Sequence, residues 1–319
     1  MNSSFARRAA VPAALVSLTL MLAACGGDAS GGGDSEALSG EIAIDGSSTV
    51  GPLSEAAQEL YAAEQPDVQV TVGTSGTSGG FEAFCAGDTD ISDASRPIED
   101  SEIKICEKNG IEYTELQVAV DALTVVTNPD VGVTCITTDE LKTIWEPAAE
   151  GEITNWNQVN PEFPDLTLNL FGPGTDSGTF DYFTDEINGE EGASRSDYEQ
   201  SEDDNVIVEG VAGTEGAMGY FGYTFYEENQ DSLTALEIDS GEGCVPPSPE
   251  TAQSGEYTPL ARPLFIYVAN SAYSEESQVA GYVDFYIENL AEIAEAARFI
   301  PLNEEQTANT EKALSSLQG

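Results

Sequence analysis

Three segments of the chain repeat one plan, and that repetition constrains the fold more than any other feature. Each runs from a β-patterned stretch through a turn of Gly, Ser and Thr into an amphipathic helical pattern. They are EIAIDGSSTVGPLSEAAQEL from Glu41, VQVTVGTSGTSGGFEAFCAG from Val68 and LTLNLFGPGTDSGTFDYFTDEI from Leu166. Alternating Ile, Val, Leu and Thr mark strands, whereas Leu53, Ala56, Ala57 and Leu60 recur at helical spacing. Strand, tight turn and helix in succession predict an α/β fold with mostly parallel sheets flanked by helices.

Two other runs divide that fold. VAVDALTVVTNPD from Val118 and ARPLFIYVAN from Ala261 are strongly apolar β patterns. Between them lies a block with its own elements, including a helical pattern at Thr138 to Trp145 and the Gly/Tyr-rich GAMGYFGYTFY from Gly216. The two runs are expected to cross between lobes, so that residues 40–126 and 262–319 form a discontinuous first lobe and residues 127–261 the second. In the closing segment Val279, Tyr282, Val283 and Tyr286 fall at i, i+3, i+4 and i+7 and predict a helix. Residues 240–258, rich in Gly, Pro and Ser, read as an irregular surface loop.

The N-terminus carries Arg7 and Arg8, an apolar stretch over 11–24 and small residues before Cys25, the pattern of an export signal. The apolar stretch is shorter than the ~20 residues a membrane-spanning helix needs. Leu22-Ala23-Ala24-Cys25 resembles a bacterial lipoprotein processing site, which implies removal of residues 1–24 and lipid on Cys25. GGDASGGG, Gly26 to Gly33, then reads as a flexible leash within a tether over 25–39, holding the body at the outer face of the cytoplasmic membrane. Cys85, Cys106, Cys135 and Cys244 remain, and export makes two disulfides the expectation, with three pairings possible. We favour Cys85 with Cys106 and Cys135 with Cys244, because each pair then stays within one lobe. With no CxxC spacing and no His, a metal site is not expected.

Charge narrows the function. The chain holds 58 acidic and 10 basic residues, a formal net charge of −48. Loss of Arg7 and Arg8 with the signal makes the body more negative still. Such a surface repels nucleic acid and anionic lipid. The absence of His excludes a Ser-His-Asp triad and any imidazole base.

A strand-to-helix turn of Gly, Ser and Thr suits an anion, because the backbone can approach closely, hydroxyls donate, and free N–H groups point outward at the positive helix end. A single such turn is as well explained by ordinary N-capping. Three of them, all expected beyond the carboxyl ends of strands, point to one crevice. Ser48 and Thr49, Thr77 and Ser78, and Thr175, Ser177 and Thr179 are the candidate donors. None of these turns matches GxxxxGK[ST], which argues against nucleotide hydrolysis. Arg96, in DISDASRPIED, stands at another strand end and offers a permanently charged planar fork to an oxyanion.

GSSTV, GTSGTSGG, DASRPI, VDALTVVTNP, GPGTDSGTFDYF and GAMGYFGY, together with the lipoprotein site, resemble the phosphate-binding lipoproteins of ABC transporters along essentially the whole mature chain. The resemblance implies a two-lobed type II periplasmic-binding-protein fold that closes on inorganic phosphate and passes it to membrane permease subunits. It implies a monomer with no cofactor and no covalent chemistry. Carried over residue by residue, it assigns the ligand to Ser48, Thr49, Thr77, Ser78, Ser177, Gly178 and Thr179. Many members place an Arg shortly before the Ser-Gly-Thr turn; here Gly172 to Asp176 contains no base, so Arg96 is expected to take its place. A carboxylate that accepts the phosphate proton would reject sulfate. Asp121, inside the apolar crossing run, is the first candidate, followed by Asp45 and Asp176. Sulfate or molybdate binding, a Ser/Thr phosphatase and a surface adhesion lipoprotein are the competing readings.

Overall fold

The computed structural model describes residues 37–175 and 177–318. The expected signal, Cys25, most of the tether, and Asp176 lie outside the described residues. Leu38 already belongs to the body, its N–H donating to Gln65 Oε1 at 2.8 Å.

Lobe 1 begins with three parallel strands: β1 (Gly40–Gly46), β2 (Val68–Val72) and β3 (Ile91–Ala94), in the order β2-β1-β3. Ile42 and Ile44 of β1 face the core, and the helix that follows, Gly51–Glu64, buries Leu53, Ala57 and Tyr61 on one stripe. The long strand β4 (Tyr113–Thr127) then leaves lobe 1, and from Val118 onward every residue is buried, as expected of a strand covered on both faces.

Lobe 2 contains β5 (Cys135–Thr137), β6 (Asn169–Gly172), β7 (Glu199–Gln200), β8 (Ala217–Gly222), β9 (Thr234–Ala235), β10 (Glu237–Asp239) and β11 (Cys244–Val245). Strand β12 (Ala261–Ala269) returns antiparallel to β4, and the main sheet reads β2-β1-β3-β12-β4-β8-β6-β7, with β9 also on β4. Strands within each lobe's strand–turn–helix units run parallel, while the crossing strands are antiparallel to their neighbours. The sheet is therefore mixed.

Two apolar cores flank the crossing. One gathers Ile42, Leu53, Phe81, Phe84, Tyr267 and Tyr282; the other gathers Trp145, Trp156, Phe183, Tyr220 and Tyr257. A small cluster of Val120, Ala122, Ala252 and Ile300 lies where β4 passes from one to the other. Ile300 forms an isolated bridge with Val120, so the chain meets β4 again at this point. The helix Ser277–Glu288 buries Val279, Tyr282, Val283 and Tyr286, the face its spacing predicts. Disulfides join Cys85 to Cys106 and Cys135 to Cys244. The segment 240–258 is more regular than its composition suggests. Strand β11 pairs with β10, and Ser248 caps a short helix, Pro249–Ser254, by accepting from Thr251 N. Cap chemistry and a disulfide order what Gly and Pro content alone reads as loop.

Candidate functional site

The first two turns are stitched together by backbone. Gly46 N–H donates to the Gly73 carbonyl and Gly76 N–H to the Gly46 carbonyl, while Ser47 N–H reaches the Asp93 carbonyl at the end of β3. A Cβ at Gly80 would lie 2.4 Å from Gly46 Cα, so only glycine lets the second turn press against the first. GTSGTSGG is thus an ordered structure, with Thr77 opening the helix Thr77–Ala86.

Ordinary capping does not explain the hydroxyls of these two turns. Neither the helix Gly51–Glu64 nor the helix Thr77–Ala86 has a side-chain cap hydrogen bond, whereas Thr137, Ser248 and Asn303 cap helices elsewhere. The third turn differs, because Ser177 does cap its helix, accepting from Thr179 N at 3.2 Å.

A cleft of about 820 Å³ brings the predicted residues together from both lobes. Ser48, Thr49, Thr77, Ser78 and Arg96 line it from lobe 1, Thr175 and Gly178 from lobe 2. Ser177 and Thr179 stand back from this lining; Thr179 and Asp121 instead border a neighbouring cavity of about 180 Å³. The lobes come close at this third turn: a Cβ on Gly178 would stand 2.8 Å from Thr49 Oγ1 and 3.4 Å from Ser48 Oγ.

Arg96 does line the cleft, but its guanidinium is largely occupied. Nη1 and Nη2 donate to the two carboxylate oxygens of Glu102 at 2.9 and 2.8 Å, and Nη2 also reaches Ser78 Oγ at 3.0 Å. Arg262 is the guanidinium that sequence reasoning passed over. It heads β12, opposite Asp121 in the β4 register. Its Nε donates to Asp121 Oδ2 at 3.2 Å and its Nη2 to Thr49 Oγ1 at 2.9 Å. Among the described residues, none accepts from its Nη1.

The candidate carboxylates also sort themselves. Asp121 is buried and faces Arg262; burial raises its pKa, opposed by that guanidinium. Asp45 Oδ1 is used within the turns, accepting from Gly46 N and Ser75 N. Asp181, which the sequence reading did not single out, lines the cleft, and burial and then Glu191 raise its pKa while Arg262 lowers it. Asp185, Glu186 and Glu191 extend this acidic wall.

Beneath the first turn, Asp93 is fully buried, with Oδ1 accepting from Ser54 Oγ at 2.8 Å and no partner for Oδ2 among the described residues. Burial, partly offset by the Ser54 bond, pushes its pKa up to about 7. An acid whose folded pKa is raised contributes stability present at low pH and lost as pH rises through the folded value. The thermal midpoint of ligand-free protein is therefore expected to fall as pH rises through about 7, and Asp93→Asn to flatten that slope. An unchanged slope in the Asn variant would remove Asp93 as its source.

Comparison with known proteins gives consistent relatives. The family model described as PBP superfamily domain matches residues 32–289. The chain is 50% identical over 265 residues to Protein SphX of Synechocystis, covering 83% of this chain and 79% of that one. It is 38% identical over 307 residues to the phosphate-binding protein PstS of Staphylococcus saprophyticus, covering 95% and 93%. Among solved structures, a possible phosphate binding protein from Planctomyces limnophilus superposes with a TM-score of 0.83 at 42% identity, covering 89% of this chain and 100% of that one.

Proposed function

The chain belongs to the phosphate-binding proteins of the PBP superfamily, and from that premise we propose that it captures inorganic phosphate between its lobes and delivers it to the permease of an ABC transporter. The observation that carries this reading is the meeting of Thr49, Gly178 and Arg262: two turns without side-chain caps, the opposite lobe and one guanidinium whose Nη1 has no acceptor among the described residues. Ser48, Thr49, Thr77, Ser78 and Gly178 supply close neutral donors, with Ser177 and Thr179 shaping the third turn. Arg262 supplies the charge. Arg96 acts more weakly through Ser78. Asp121 serves the ligand through Arg262, and Asp181 on the cleft wall accepts the proton that phosphate carries and sulfate lacks. Dipoles and hydrogen bonds inside a closed cleft act at short range, where salt and distant surface charge matter least.

The same reading makes residues 1–24 a signal, Cys25 the lipid-bearing residue and the stretch from Cys25 to where Leu38 joins the body a tether at the outer face of the cytoplasmic membrane. Residues 40–126 and 262–319 form lobe 1 and residues 127–261 lobe 2, and the protein acts as a monomer. Among the described residues, no helix is long and apolar enough to cross a membrane. Thermal melting of dialysed protein with phosphate, sulfate, molybdate or nitrate tests the proposal. A ligand at 1,000 times its dissociation constant stabilises by ~4 kcal/mol, a shift of several degrees. Phosphate is expected to give that shift at the lowest concentration; a larger response to sulfate or molybdate, or none to phosphate, would overturn the assignment.

A further inference from the structure

The guanidinium of Arg262 is held from three directions, and only two of them are hydrogen bonds. Beyond Asp121 and Thr49, its central carbon stands 3.6 Å from the centroid of the Tyr182 ring. Tyr182 comes from lobe 2, on the helix Gly178–Phe183, and packs within the second core at 5% exposure. Its hydroxyl is already committed, donating to the Pro259 carbonyl. The ring is thus tied, through Pro259, beside the segment that leads into β12 and Arg262.

A guanidinium bonds in its plane, while its faces are weakly hydrated and accept an aromatic ring. A ring over one face adds cation–π attraction and excludes water without consuming an N–H. With Nε and Nη2 already engaged, such a ring also fixes the plane in which Nη1 projects. We propose that Tyr182 is a positioning residue for the anion: on closure its ring covers Arg262, orients Nη1 toward the ligand, and so makes lobe 2 contribute to affinity through a side chain of the crossing strand. This inference rests on the phosphate-binding reading. By aiming Nη1 at the anion in the closed form, the ring also gives phosphate the differential affinity without which a ligand shifts no equilibrium between open and closed forms.

Stopped-flow and calorimetric titration of the purified full chain with inorganic phosphate test it. Tyr182→Leu is expected to raise Kd about tenfold, with the change in the dissociation rate, and Tyr182→Phe to recover most of that loss. If Tyr182→Leu fails to fold by circular dichroism, Tyr182→Met fills the volume and takes its place. In an Arg262→Lys background, which lacks the planar face, removing the ring is expected to add less than about twofold. Wild-type affinity in the Leu or Met variant, or an undiminished loss on top of Arg262→Lys, would overturn the proposal. Absence of phosphate binding by the wild-type chain would instead defeat the functional reading beneath it.

Discussion

Arg262→Ala is expected to lower phosphate affinity by more than about 100-fold, because truncating one partner of a buried charge pair costs about 2–5 kcal/mol. The substitution does two things at once. It removes the guanidinium that reaches Thr49 and the cleft, and it leaves Asp121 buried without its counter-charge. Burial already raises the Asp121 pKa while Arg262 opposes it, so without Arg262 the pKa rises further. The sign follows: the folded carboxyl binds its proton more readily than the unfolded one, so the variant's stability is least at neutral pH and recovers as pH falls. A loss of about 3 kcal/mol at neutral pH is expected from an uncompensated buried charge. Adding Asp121→Asn should restore stability without restoring affinity. Calorimetry with phosphate and melting curves across pH check both statements, and near-wild-type affinity in Arg262→Ala would move the ligand charge elsewhere. Arg96→Ala, whose guanidinium is neutralised by Glu102, should lose only about tenfold.

The contrast between the two arginines marks how far the sequence reaches. The three turns were legible because their signal is local: small residues between a period of two and a period of 3.6. The crossing runs and the helix Ser277–Glu288 were legible for the same reason. Arg262 was not, since its partner Asp121 lies 141 residues away and meets it only through the antiparallel register of β12 on β4. An ionisable group in an apolar strand requires a partner, and that holds for Asp121 and equally for the Arg heading the other apolar run. Pairing the two runs on paper would have paired the two residues. Tyr182 carries no such signal. Its place over Arg262 comes from packing between segments far apart in sequence, and TFDYF reads simply as an aromatic helix face.

Gly178→Val tests that closure directly. Gly178 begins its helix, and a Cβ there would meet Thr49 Oγ1 at 2.8 Å, with Ser48 Oγ and Thr49 N each at 3.4 Å. Thr49 cannot rotate aside freely, because its hydroxyl accepts from Arg262. A branched side chain therefore holds the third turn away from the first, and the donors of the two lobes no longer converge on one anion. Since each tenfold in affinity corresponds to about 1.4 kcal/mol, losing the contacts of one whole lobe is expected to weaken phosphate binding at least about 100-fold. Stability should respond differently. Gly178 is not held in a left-handed conformation, and replacing glycine in a helix favours folding by some tenths of a kcal/mol or more, so the ligand-free melting temperature should hold or rise. Small-angle scattering should show the wild-type chain contracting on phosphate addition and the variant unchanged in size. A Gly178→Val chain that contracts and binds like wild type would mean that the anion is held by lobe 1 alone, with the Ser177-Gly178-Thr179 turn serving only to cap its helix.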